Sequence, residues 1–279
     1  MAGKTKKLAV AYRIYPGVSK VPPAHSDDKY KLSELCLKSF AESVSKVDYK
    51  VWAILDNCPG EYVELFRKYF PDERLEIIRL DGAGNAATFK LQIDLLLTQD
   101  FAEYIYFAED DYFYLPEAFS EMLELISTRN DADFVTSYDH PDYYKHILHN
   151  YKSKIITAGY RHWRTSASSC LTFMTTKSIL KQTGSVFKTF YKYNNYDSSM
   201  FLSLTKLGKM NPLLAFFYLP GDLNLAKTYI KLWLYTPIQN LFGKKYKLFS
   251  PLPSLSTHMD SKNLAPLIGW KSLFSEQKP

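Results

Sequence analysis

Apolar positions in the first half of the chain switch repeatedly between two periods. Leu8–Tyr12 is a short apolar run of strand formers, whereas Leu32, Leu35, Cys36, Phe40, Val44 and Val47 return at helical spacing. Tyr49–Leu55 reads as a second strand and closes on the turn cluster Asp56-Asn57-Cys58-Pro59-Gly60. Val63, Phe66, Arg67 and Phe70 mark a short helix stopped by Pro71. Leu75–Leu80 predicts a third strand, Asp81–Asn85 a small-residue turn, residues 87–97 a buried helix and Tyr104–Ala108 a fourth strand. Ala118, Phe119, Met122, Leu123 and Ile126 mark the next helix, and residues 134–137 a fifth strand. Strands alternating with helices imply right-handed crossovers and an α/β fold with a mostly parallel central sheet.

The second half is less regular. Residues 138–165 are rich in Tyr, His, Lys and Arg with little period, and read as a long functional loop. Residues 170–174 look like a strand, and residues 197–207 like a helix with Met200, Phe201, Leu204 and Leu207 on one face. Residues 221–249 mix aromatics and lysines, and residues 250–279 show few periodic positions. The expected organisation is one core over 1–215, with a nucleotide-binding half over about 1–111 and an acceptor half over 112–215. Residues 216–279 would form a C-terminal extension packed on that core.

At 279 residues and 46% hydrophobic, the chain can bury a sizeable core. Its net charge of +6 is moderate and its Lys and Arg are dispersed, which argues against a dedicated nucleic-acid binder and suits an anionic substrate or membrane surface. Cys36, Cys58 and Cys170 are odd in number and widely spaced, which fits a reduced, cytoplasmic setting. Lys4 to Lys7 before Leu8–Tyr12 imitates a leader, but Arg13 interrupts the run and no small-x-small site comes after it, so a first strand is expected. No apolar run approaches the ~20 residues that span a bilayer.

The sharpest chemical feature is Tyr104-Ile105-Tyr106-Phe107-Ala108-Glu109-Asp110-Asp111, an apolar strand ending in three carboxylates. Adjacent anions repel, so a fold that presents them at a strand end has reason to share a cation there. Oxygen ligands suit a hard ion, Mg²⁺ or Mn²⁺. Placement at the carboxyl edge of a sheet is where open α/β proteins bind ligands. A solvated acidic loop is the plainer alternative.

With Ala108-Glu109-Asp110-Asp111 in that position, the chain resembles nucleotide-sugar-dependent glycosyltransferases of the GT-A fold, of the family 2-like, Asp-x-Asp type, over roughly residues 7–210. The resemblance implies that Asp111 binds the metal on a donor diphosphate, with Glu109 and Asp110 touching ribose, sugar or metal-bound water. It implies donor contacts for Asp56 at the second strand end, for Tyr12 and Arg13 in the pocket wall, and for Asn85 and Lys90 beside the Gly82-Ala83-Gly84 loop. Asp197 would be the base of an inverting transfer, and His258 a further metal ligand. Arg161, Trp163 and Arg164 form a cationic and aromatic cluster that could grip a diphosphate or an acceptor sugar. Each has a plainer counterpart: an Asx turn at Asp56, a helix N-cap at Asp197, a surface role for Arg13 and His258, an ordinary turn at Gly82–Asn85.

The implied reaction moves a sugar from a nucleotide-diphosphate donor, UDP-linked by family frequency, to a glycan or lipid-linked acceptor. A basic, aromatic region around Tyr229, Trp233, Tyr235, Lys244 and Lys245 reads either as a dock on the inner face of a membrane or as a helix packed on the core. Two alternatives stand beside the transferase. One is a non-catalytic nucleotide- or carbohydrate-binding protein on the same fold. The other is a sugar nucleotidyltransferase, although Tyr12–Gly17 lacks the Gly-rich, Arg-containing loop expected after its first strand.

Overall fold

A computed structural model of the chain describes residues 6–18 and 20–276; Lys4, in the leader-like start, lies outside them. The first half alternates as the periodicity implies: β1 (Lys7–Ile14), α1 (Lys29–Val44), β2 (Asp48–Asp56), α2 (Glu61–Tyr69), β3 (Leu75–Leu80), α3 (Gly84–Thr98) and β4 (Tyr104–Glu109). Next come β5 (Tyr112–Tyr114), α4 (Ala118–Thr128), β6 (Phe134–Val135), α5 (Asp142–Lys145), β7 (Ile155–Ala158), β8 (Arg161–Ser166), β9 (Phe173–Thr176), α6 (Lys177–Tyr193) and α7 (Asp197–Thr205). The remainder forms α8 (Leu214–Tyr218), α9 (Leu223–Tyr235), α10 (Pro237–Phe242), β10 (Leu248–Leu252), β11 (Ser256–His258) and α11 (Trp270–Glu276).

The main sheet runs β3-β2-β1-β4-β9-β6-β10-β8-β7. β3, β2, β1 and β4 are parallel neighbours, and among the nine strands only β9 and β8 point the other way. The α/β fold with a mostly parallel central sheet is therefore present. β1 explains why the sheet is covered on both faces: Leu8 to Ile14 are all buried, the mark of a central parallel strand. Its alternate side chains serve two cores. Leu8, Val10, Tyr12 and Ile14 pack with α1, α2 and α4, while Ala9 and Ala11 face Phe89 and Ile93 of α3.

Three departures from the sequence reading matter. Residues 138–165 are not one loop, since β7 and the start of β8 fold there as the far edge of the sheet. Lys177–Tyr193 is a 17-residue helix that the periodicity reading passed over. The C-terminal residues do not simply pack on the core, because β10 lies inside the sheet between β6 and β8. β11 pairs antiparallel with β5 in a separate two-stranded sheet, placing His258 opposite Tyr112.

Candidate active site

Parallel pairing builds the site. β1, β2, β3 and β4 end at one edge, so the segments leaving these strands converge there. Arg13 and Glu109 are register partners across β1 and β4 and point to the same face. The Arg13 guanidinium binds the Glu109 carboxylate and the Asn85 side-chain oxygen, and donates to the Asn85 carbonyl at 3.1 Å. At the end of β2, the two oxygens of Asp56 accept from the backbone N–H groups of Ala83 at 2.7 Å and Gly84 at 2.8 Å. That holds the β3–α3 turn, whose Gly82 and Gly84 have φ of +78° and +81° with open space where a Cβ would lie. Glycine is needed there for its backbone freedom, not for room.

Together these groups wall a cavity of about 580 Å³, whose lining includes Arg13, Asp56, Asn85, the turn glycines Gly82 and Gly84 and the acids Glu109, Asp110 and Asp111. Every acid of the triplet has its own cation: Arg13 for Glu109, Lys29 for Asp110 at 2.5 Å and His258 for Asp111 at 3.0 Å. Lys29 arrives from the first turn of α1, whose N-cap Asp28 accepts from Lys31 N at 3.0 Å. His258 arrives from β11 through the β5 pairing, sealed by a 2.7 Å bond from Met259 N to the Asp111 carbonyl. Burial pushes the Glu109 carboxyl up and the charge of Asp111 adds to it, with Arg13 opposing. Asp110 is raised by burial too, against Lys29. Burial works the same way on Asp111, but His258, Lys29 and Arg13 outweigh it and hold Asp111 below the usual carboxylate range. Burial likewise opposes the His258 imidazolium, and Asp111, Glu109 and Asp260 prevail to raise it.

One buried atom lacks a partner in this cluster, Asp111 Oδ1. A buried carboxylate oxygen left unpaired is costly, so it calls for a ligand. Cis ligands about 2.1 Å from an octahedral ion stand about 3 Å apart, and Asp111 Oδ2 and His258 Nε2 are separated by 3.0 Å. With the proton displaced from His258 Nε2, the two residues would fit a hard divalent ion. Among the described residues no group of three or more His, Cys, Asp or Glu side chains forms a metal cage, so other ligands would have to be water or substrate oxygens.

A second cavity, of about 320 Å³, opens beside Asp197, lined by His140, Tyr143, His146, His149, Cys170 and the α9 residues Asn224, Leu225 and Thr228. Asp197 is the first residue of α7. Its Oδ2 accepts from Ser168 Oγ at 2.5 Å, Cys170 N at 3.1 Å and Ser169 N at 3.3 Å, and its Oδ1 from Leu171 N at 3.1 Å and Ser169 Oγ at 3.3 Å. The turn it anchors is strained, with Cys170 at φ 54° and Leu171 at φ 60°. A carboxylate offers about four lone-pair sites, so these donors occupy it. Burial raises the Asp197 pKa while the hydrogen bonds from Ser168 and the turn amides pull it down. Asp197, expected as the base of the transfer, lines this cavity and at the same time holds a turn with its carboxylate. The same turn supplies Thr172, whose hydroxyl donates to Glu109 Oε2 at 3.0 Å and so ties the second cavity to the acid cluster.

Arg13, Asp56, Asn85, Glu109, Asp110, Asp111 and His258 thus meet in one place. Besides Asp197, five expected residues do not. The Tyr12 ring is fully buried between Phe40 and Phe66, because its position in β1 alternates into the core. Lys90 lies on the exposed face of α3, paired with Asp94 one helical turn on. Arg161 clips Glu117, Glu121 and the Pro253 carbonyl. Trp163 is wholly buried and donates to the Ala158 carbonyl at 3.3 Å. Arg164 binds buried Asp139 and lies over the rings of Tyr143 and Tyr144, 4.6 and 4.3 Å from their centroids. Sequence reasoning missed Lys29, Thr172 and the 168–171 turn. Only the Asp28 cap ahead of Lys29 offered a local signal.

No family model matches the sequence, and no curated protein is similar to it. Among solved structures, the chain is similar to a mannosyltransferase from Pyrobaculum calidifontis in complex with GDP-Man and Mn²⁺, at 11% identity and TM-score 0.42, over 65% of this chain and 48% of that one. The chain thus spans about half the length of that enzyme. It is also similar to S. aureus TarS 1-349 in complex with UDP, at 14% identity and TM-score 0.44, over 85% and 72% of the two chains. A third likeness is to a putative nucleotide-diphospho-sugar transferase from Desulfovibrio desulfuricans G20, at 10% identity and TM-score 0.46, over 84% and 97%.

Proposed function

We propose that the chain is a glycosyltransferase that takes a nucleotide-diphosphate sugar, a UDP-sugar first among donors, at the edge cavity and transfers the sugar to a hydroxyl presented from the second cavity. The observation that carries this reading is the buried oxygen Asp111 Oδ1, unpartnered beside His258 on the floor of a cavity closed by a glycine turn. Leaving of a nucleoside diphosphate builds negative charge, and a Mg²⁺ or Mn²⁺ ion, when bound, supplies the charge that stabilises it. Asp111 and His258 would hold that ion. Arg13 opposes the burial that raises Glu109 and holds its carboxyl at the cavity, and Lys29 does the same for Asp110. The Gly82–Asn85 turn, pinned by Asp56, brings backbone close enough for a nucleotide to lie along it. The cavity volume is of the size that small-molecule and nucleotide sites occupy.

A second reading has its own observation. Because Arg13, Lys29 and His258 already balance the three acids one for one, the cavity is electrostatically complete without a cation. That arrangement suits a protein that binds nucleotide without metal-assisted turnover.

Thermal melting with UDP, GDP, CMP and dTDP, each with and without Mn²⁺, separates the two. A ligand at ~100 times its dissociation constant adds about 2.7 kcal/mol, worth several degrees in a chain of this size. We expect one diphosphate to raise the midpoint only with Mn²⁺, and Asp111→Ala to abolish that rise. A metal-independent shift surviving Asp111→Ala would favour the binding protein, and no shift for any nucleotide would end both readings.

A further inference from the structure

Helices α8 and α10 each pack on α9, and the three carry an unusual outer surface. α9 turns Leu225, Tyr229 and Leu232 inward, where they share a core with Leu148, Leu202 and Ala215. Its outward stripe at spacings of four, three and four is Leu223, Lys227, Ile230 and Leu234, and the three apolar members are exposed. A helix on a water-facing surface would carry polar residues at those positions. α8 and the turns around it add Leu213, Phe216, Phe217 and Leu219, with both phenylalanines 74% exposed. α10 adds Ile238, Leu241 and Phe242, the last 83% exposed. Single exposed apolar residues are ordinary, but ten of them on three neighbouring helices and the turns beside them mark a surface made to be covered.

Charge says what covers it. Residues 206–247 contain seven lysines and one acid, Asp222, a net of +6 that equals the formal net charge of the whole chain. Lys244 and Lys247 of this segment are paired with Asp133 and Asp131, and Lys206 and Lys231 bond backbone carbonyls, so the charge left for a partner lies on the lysines of α9 and of the turns beside the helices. Asp222 is engaged as the α9 N-cap, accepting from Leu225 N at 2.9 Å. Lys209, Lys227 and Lys245 make no ion pair among the described residues and are exposed. Bulky apolar residues rimmed by lysines complement the headgroups and upper acyl chains of an anionic bilayer. No helix here is long and apolar enough to cross one.

We infer that α8, α9 and α10 form a docking face for the surface of an anionic phospholipid bilayer. α9 has a second duty, since its Leu225 and Thr228 line the cavity beside Asp197. Seating the outer stripe of α9 on a bilayer puts that cavity within reach of the headgroup layer. The acceptor class this selects is a hydroxyl on a membrane-anchored molecule, a step that rests on the transferase reading above.

Flotation of the purified full chain with vesicles tests the surface without reference to any sugar. Three preparations suffice: pure phosphatidylcholine, phosphatidylcholine with about 30% phosphatidylglycerol, and the latter in high salt. We expect at least tenfold more protein on the anionic vesicles than on neutral ones. The combined variant Phe216→Ser, Phe217→Ser and Phe242→Ser should lose that binding while keeping its melting midpoint and any nucleotide-induced shift. Equal recovery of wild type and variant would overturn the inference. So would a dimer, seen by sedimentation velocity, that the same variant dissolves, because a second copy of the chain would then be the cover. Vesicle binding without any nucleotide shift would leave the docking face standing and remove only the acceptor assignment.

Discussion

Two half-buried carboxylate sites sit within this fold, and they are held in opposite ways. At the strand edge, Glu109, Asp110 and Asp111 are compensated by the long side chains of Arg13, Lys29 and His258, and one oxygen is left without a partner. At Asp197 compensation comes from backbone N–H groups and two hydroxyls of a single tight turn. Side-chain cations can swing aside when a ligand arrives, whereas backbone donors cannot leave without unfolding the turn. The first site is therefore built to exchange partners and the second to keep them. An acid beside a cavity is accordingly no proof of proton transfer; what decides is whether its lone pairs are free.

The largest expected effect breaks this contrast directly. Asp197→Ala strips the acceptor from the Cys170 and Leu171 amides in a buried turn, and we expect a loss on the order of 4 kcal/mol in denaturant unfolding. If Asp197→Ala instead left stability unchanged and removed only transfer activity, Asp197 would be the base after all. A smaller effect per residue concerns pH. His140 and His149 beside the second cavity are pushed down to about 4, His140 by burial and His149 by burial with the charge of His140 added. Both stay neutral in the native state while the unfolded chain takes up protons near pH 6.5. Stability is then fully present above about pH 6.5 and falls as pH drops toward 4, by on the order of 3 kcal/mol for each histidine. Melting curves from pH 7 to 4 should show it, and His140→Gln should flatten the slope. The smallest effect is Lys90→Ala, which removes an exposed pair with Asp94 and should change neither the melting midpoint nor nucleotide binding. A lost nucleotide shift in that variant would restore Lys90 to the donor site.

The strand-edge site was largely readable before folding, because its geometry is a consequence of parallel order. A strand run ending in Glu109-Asp110-Asp111 puts the acids at a sheet edge whatever the helices do, and Asp56 and the Gly82–Asn85 turn obey the same rule. Tyr12 was misplaced for a related reason: the run Leu8–Ile14 has no polar alternation, so its inward and outward faces look alike in sequence. Around Asp197 little was readable, since no local pattern announces that Cys170 and Leu171 will adopt left-handed backbone. The basic cluster at 161–164 failed because partners from distant segments, Glu117, Glu121 and Asp139, consume it.

By itself the sequence determined the α/β order, the four parallel strands and the acid-bearing edge, since each depends on periods of two and 3.6 residues and on chain termini of single elements. The tertiary structure alone decided that β10 enters the sheet, that β11 delivers His258 to Asp111, and that Lys29 answers Asp110. These are pairings between segments far apart in the chain, set by which faces remain uncovered once the local elements have formed, and no short-range pattern encodes them.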